Sequence, residues 1–318
     1  MNFKSLLLVF IFFSNTIWAI SPKYTIKTNG NVTDLHYEAK HLYVSTDNGS
    51  IQVFNIPSKH LLKTYYFPKI KDFTDESITP KIFSFDKIRG KDILAAVSQG
   101  LHGFSNVFLI KNGKYIRIIR DTENKLMIKK IRFISENEVI IGLLSNEIIL
   151  FDILNNREIY RRQISPYTFS DVVLNKEKTK LITADESGII HIIDVKSGKT
   201  LQNLSGSNVD NVYKIDYKGD IIVCGGQDRR LSVYNLSTHK SYYINSSFLI
   251  YCVGLSPSGN YAAYSCDENN DIQIMNTKTK AKISVLKGHK STLTKILFTA
   301  ENKLFTGAEE KLVYFWEI

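Results

Sequence analysis

The chain has 318 residues, with 41 Lys and Arg against 31 Asp and Glu, six Pro, three Cys and 43% hydrophobic residues. It is too apolar for a disordered chain and too poor in proline for a collagen or linker protein. Three Cys without a Cys-x-x-Cys pair supply neither a disulfide framework nor a structural zinc site, and seven scattered His argue against a multi-histidine metal centre.

Met1–Lys4 is a short basic start and Ser5–Phe13 a mostly apolar run, followed by Ile17-Trp18-Ala19 as a small-residue cleavage site before Ile20. This is the n-region, h-region and cleavage pattern of a secretory signal peptide. The apolar run is too short to cross a hydrocarbon core of ~30 Å. With no twin arginine before it and no Cys at the cleavage point, general secretion to a periplasm or the exterior is expected. Residues 1–19 are then the signal peptide, and residues 20–318 form a single mature domain.

Beyond the leader, short β-rich runs alternate with Gly, Asn, Asp and Ser turns, and no long window keeps a helical period. One marker recurs, an alternating apolar run that ends on a large residue. It reads Ile51-x-Val53-Phe54, Val107-x-Leu109-Ile110, Ile148-x-Leu150-Phe151 and Ile190-x-Ile192-Ile193. It continues as Leu231-x-Val233-Tyr234, Ile272-x-Ile274-Met275 and Val313-x-Phe315-Trp316. The anchors Phe54, Ile110, Phe151, Ile193, Tyr234, Met275 and Trp316 are spaced 41 or 42 residues apart, apart from a first interval of 56. The mature chain gives about 43 residues per unit, the length of a four-stranded propeller blade.

Innermost strands are expected at Val32–Tyr37, Ile128–Phe133, Phe169–Leu174, Val212–Tyr217, Ile250–Leu255 and Leu293–Phe298. Fourth strands follow the anchors, as in Leu61–Tyr65, Thr200–Leu204 and Lys282–Leu286. The seventh unit ends after its third strand, and Lys23–Lys27 at the other end can supply the fourth. The expected fold is therefore all-β, a seven-bladed β-propeller whose last blade is closed by the N-terminal strand.

Gly288-His289, followed 27 residues later by Trp316-Glu317, resembles the WD40 family, as does the turn Gly226-Gln227-Asp228-Arg229-Arg230-Leu231. The resemblance spans about residues 22–318 and implies a WD40-like propeller. It also implies a hydrogen-bonded tetrad in the last unit, formed by His289, Thr306, Glu310 and Trp316. In the other units the Gly-His pair is missing and Phe, Ile, Tyr or Met replaces Trp.

No His-Glu-x-x-His, Gly-x-Ser-x-Gly or Gly-x-x-x-x-Gly-Lys sequence occurs. His289, His191 and His36 read as satisfied structural histidines, and Asp185, Asp228 and Asp267 as caps of equivalent turns. Cys224, Cys252 and Cys266 read as small apolar side chains, since Cys252 falls opposite about Tyr264 rather than Cys266. No active site, metal site or cofactor site is expected. The formal net charge of +10 is spread over turns without interleaved stacking aromatics, so nucleic acid is not an expected partner.

Binding is expected on a loop face. The longest connection, residues 68–80, carries Lys69, Lys71 and Phe73, and should emerge beside the enlarged loop Gln99–Asn106. Equivalent inner-strand positions place Asp34, Ile82, Lys130, Asp171, Lys214, Cys252 and Lys295 around the channel mouth, an alternating-charge ring suited to a protein or peptide. The expected function is a non-catalytic, exported scaffold that binds another exported protein, with Phe73 as anchor. In size, leader and degenerate blades the chain also resembles the NapL family, propeller-type accessory proteins of periplasmic nitrate reductase systems. That resemblance implies a component of such a reductase as the partner. A propeller enzyme of the lactonase or quinoprotein type, or an outer-membrane assembly propeller, is the alternative.

Overall fold

Most blades turn sharply between their second and third strands through a left-handed residue. Gly49, Asn146, Gly188, Arg229 and Asn270 take positive φ there in five different blades. Glycine and asparagine enter that region with little steric penalty, which is why turn residues recur on the 41-residue beat. Between the turns, the second and third strands of a blade are buried on both faces, while the fourth is largely exposed.

The computed structural model describes residues 18–318. Six sets of four sequential antiparallel strands, residues 32–66, 82–119, 128–163, 169–204, 212–245 and 253–286, form blades one to six, and three more strands, residues 293–317, belong to blade seven. The seventh takes its fourth strand from the N-terminus. Tyr24–Lys27 pairs with Leu312–Glu317, Tyr24 lying opposite Phe315 and Lys27 opposite Leu312. The Tyr24 and Phe315 rings stack at 4.8 Å. No helix among the described residues is long and apolar enough to cross a membrane.

Three local expectations need correction or completion. The inner strand of blade six is confined to Val253–Leu255 rather than Ile250–Leu255. The amides of Tyr251 and Cys252 both point at Ser265 Oγ, at 2.8 and 3.3 Å, instead of joining the ladder. Val253, not Cys252, therefore lies opposite Tyr264, and all three cysteines are free thiols. Trp18–Ile20 adds a fifth strand to blade six, parallel to Lys282–Leu286. The expected cleavage point after Ala19 falls inside that strand; the basic start and apolar run lie outside the described residues.

The core sits between blades. Phe133, Ile131 and Val139 of blade three pack with Val97, Val107 and Leu109 of blade two, and similar clusters join each neighbouring pair. Each fully buried Ile or Phe contributes about 2 kcal/mol of transfer free energy. Close approach requires a small residue on the second strand. A Cβ on Gly142 would stand 2.7 Å from Phe169 Cζ, and one on Gly307 2.4 Å from Val32.

Candidate binding face and channel

The inner strands carry a shared irregularity that sets the site. Their register against the second strand slips between Val32 and Asp34, Ile128 and Lys130, Phe169 and Asp171, Val212 and Lys214, and Leu293 and Lys295. Blade two slips at the matching place, where Ile82 pairs with Ser98 and Ser84 with Val97. A bulge leaves one residue unpaired and re-aims its side chain. The extra residues Phe83, Lys129, Ser170 and Thr294, with Tyr251 of blade six, border a cavity of about 590 Å³ at the channel mouth.

The residue after each bulge faces the channel. Asp34, Lys130, Asp171, Lys214, Cys252 and Lys295 hold this position, as the sequence pattern indicated. In blade two it belongs to Ser84, because the bulge moves Ile82 into the core, where it is fully buried. The ring is also set deeper than the rim of the mouth, with Lys130 and Lys214 reaching the cavity wall: Asp34, Lys130 and Asp171 are buried, and only Lys214 and Lys295 are partly exposed.

Charge pairing divides the ring. Lys295 Nζ is 3.5 Å from Asp34 Oδ1, and Lys130 Nζ is 3.4 Å from Asp171 Oδ1. Burial opposes ionisation of both carboxyls, but the surrounding lysines outweigh it. Lys295, Lys130 and Arg132 hold Asp34 well below the usual carboxylate range, and Lys130 and Lys214 bring Asp171 down to about 2. Burial lowers Lys130 to about 8 despite Asp171 beside it, with Lys214 adding repulsion. Lys214 is held above the ordinary lysine value, burial being outweighed by Asp171. One layer deeper, carboxylates knit the ring. Asp86 accepts from the Phe133 amide at 2.7 Å, and Asp216 from the Leu255 amide at 2.8 Å.

Phe73, Lys69 and Lys71 stand apart from this ring, on the connection between blades one and two. Ile70–Lys71 pairs with Ser77–Ile78 in a small hairpin. Asp72 pins its tip, accepting from the Thr74 amide at 2.8 Å and the Glu76 amide at 3.0 Å. The hairpin and the turn Leu101–Gly103 border one pocket of about 210 Å³, so the two enlarged loops do adjoin on one face. Phe73 is 96% exposed at the tip. Sequence reasoning missed its companions. Met127 is 43% exposed, Tyr167 50% and Val209 62%, and each occupies the equivalent connection into blades three, four and five. Aligning those connections unit by unit would have found them.

The remaining polar clusters are structural. His289 contacts Glu310 through Nδ1 and Thr306 Oγ1 through Nε2, both at 2.6 Å, and Trp316 Nε1 donates to Thr306 Oγ1 at 2.7 Å. This is the tetrad that the resemblance implied. Asp185 caps Ser187 and also accepts from Asn146 and Ser165 of blade three. Asp228 and Asp267 cap their turns through the Arg230 and Asn269 amides.

No family model and no curated protein matches the chain by sequence. Solved structures do match. A chain of the crystal structure of the mitotic checkpoint complex superposes with a TM-score of 0.77 at 13% identity, covering 100% of this chain and 98% of that one. The β-propeller domain of Cps50 (Swd1) from Myceliophteria thermophila superposes with a TM-score of 0.75 at 15% identity, covering 93% and 99%. The likeness is one of fold. The chain has the architecture of a seven-bladed β-propeller.

Proposed function

We propose that this propeller is a non-catalytic, exported scaffold that docks another exported protein on the face carrying Phe73 and the channel mouth. The observation that supports the reading is the arc of exposed apolar residues, Phe73, Met127, Tyr167 and Val209, on consecutive connections beside a lysine-rich cavity. Apolar anchors around a charged centre suit a protein surface, and rigid aromatic anchors dominate such contacts. The resemblance to the NapL family makes periplasmic nitrate reductase the partner to test first. Surface plasmon resonance of the purified propeller against the purified reductase should give saturable binding. Phe73→Ala and Tyr167→Ala should each weaken it about tenfold, or about 1.4 kcal/mol. Lys130→Ala and Lys214→Ala should weaken it as well, while Leu154→Ala, on the opposite loop face, should not. Absence of binding would remove the reductase as partner, and unchanged affinity in all four variants would remove this face as the docking surface.

A further inference from the structure

The channel mouth holds more positive charge than its carboxylates neutralise on one side. Lys81, Lys129, Lys130 and Lys214, from blades two, three and five, converge on the cavity. Among the described residues only Lys130 has a carboxylate within ion-pair distance, and that carboxylate, Asp171, also accepts the Ile215 amide at 3.3 Å. The side chains of Lys130 and Lys214 approach each other. The acidic residues on the cavity wall, Asp47 and Glu309, stand across the mouth in blades one and seven, and Asp47 is held by Asn31 through its amide and side chain. Lys214 adds its repulsion to a buried Lys130 that has the single carboxylate Asp171 beside it, and an added anion between the two ammonium groups relieves that repulsion.

We propose that the channel mouth binds an oxyanion of the carboxylate class between Lys129, Lys130 and Lys214, carried either by a free polycarboxylate or by an acidic peptide segment. Carboxylate is taken over phosphate because the channel lysines already pair with carboxylates, Lys130 with Asp171 and Lys295 with Asp34, and the wall offers no free guanidinium to either anion. Arg132 is committed to Ser84 Oγ and the carbonyls of Phe85 and Ile131. The proposal deepens the docking reading and rests on it only for the face from which a peptide-borne carboxylate would enter.

Isothermal titration of the full chain at low ionic strength, with citrate, a hexaglutamate peptide and inorganic phosphate as separate probes, tests this. Saturable binding of citrate identifies a free ligand, and binding of hexaglutamate alone identifies a chain-borne one. A Lys130→Met/Lys214→Met variant should weaken binding at least about tenfold, while Lys196→Met on an exposed turn should leave it unchanged. A second readout uses the unaltered protein. Since burial lowers Lys130 to about 8, an anion beside it should draw a proton onto the protein near pH 8. Heats measured in two buffers of different ionisation enthalpy should then differ, and affinity should fall from pH 7 to pH 9. No binding of either carboxylate, no proton uptake, or equal affinity in a folded double variant would overturn the proposal, as would phosphate binding more tightly than citrate. Any of these would leave the docking test with Phe73→Ala and Tyr167→Ala standing on its own.

Discussion

Thr306 joins two buried rings through a single hydroxyl. Trp316 Nε1–H can only donate, so Thr306 Oγ1 accepts there; Glu310 offers His289 Nδ1 only acceptor oxygens, so in the neutral ring Nδ1 carries the proton and Nε2 accepts from the Thr306 hydroxyl. Nδ1–H of His289 is then free to donate to Glu310, and the relay fixes the tautomer. Thr306→Val keeps the shape and strands both ring nitrogens, a cost of about 3 kcal/mol. Thr306→Ser keeps the relay and loses only a buried methyl, about 1 kcal/mol. Urea unfolding of the two variants should separate by roughly those amounts, and equal midpoints would show that the hydroxyl carries no such weight. This cluster was legible because Gly288, His289 and Trp316 keep a family spacing. The Asp185 cluster was legible only in part. Its turn-capping contact with Ser187 is local, but its hydrogen bonds to Asn146 and Ser165 cross from another blade, and no local pattern announces them.

At the scale of strands, the beat of the anchors made the blades readable, because each unit must repeat the same apolar alternation to fill the gaps between neighbours. The bulge was not readable. It changes which inner-strand residue faces the channel without altering composition, so Ile82 and Ser84 exchanged roles. The seam was readable from arithmetic alone, since one strand was missing at one end and spare at the other. It makes a clear prediction. A chain starting at Thr28 loses the Tyr24–Lys27 ladder and the Tyr24–Phe315 stack, and leaves Leu312–Glu317 as an open edge. The loss should be about 4 kcal/mol, or roughly 10 °C in Tm, with concentration-dependent aggregation. A chain starting at Ile20 keeps the seam and should melt within about 3 °C of one starting at Met1. Differential scanning calorimetry of the three chains compares them directly.

For the whole molecule, the channel charges couple stability to pH. Asp34, Asp171 and Asp185 are all held below the ordinary carboxylate value, by lysines in the channel and by hydrogen bonds at Asp185 that outweigh burial. A depressed carboxyl stabilises the fold above the unfolded value of about 3.9 and loses that contribution as pH falls toward the folded value. Asp171, at about 2, accounts for about 2 kcal/mol of this. Lys130 runs the other way: its depressed value makes the charged form a burden that lifts as pH rises from about 8 toward the unfolded value of about 10.4. The urea midpoint should therefore drop below pH 4 and gain a component between pH 8 and 10 that Lys130→Met removes. A flat acid limb would mean that the channel carboxylates add nothing.

The seam also decides how the ring responds to a load. Tyr24 lies opposite Phe315, close to the chain's last residue, and Lys27 lies opposite Leu312. Tension applied between Lys23 and Ile318 therefore reaches the ladder at one end and peels its hydrogen bonds in sequence, instead of shearing them together. Pulled between those two residues, the ring opens at blade seven by unzipping, one hydrogen bond at a time.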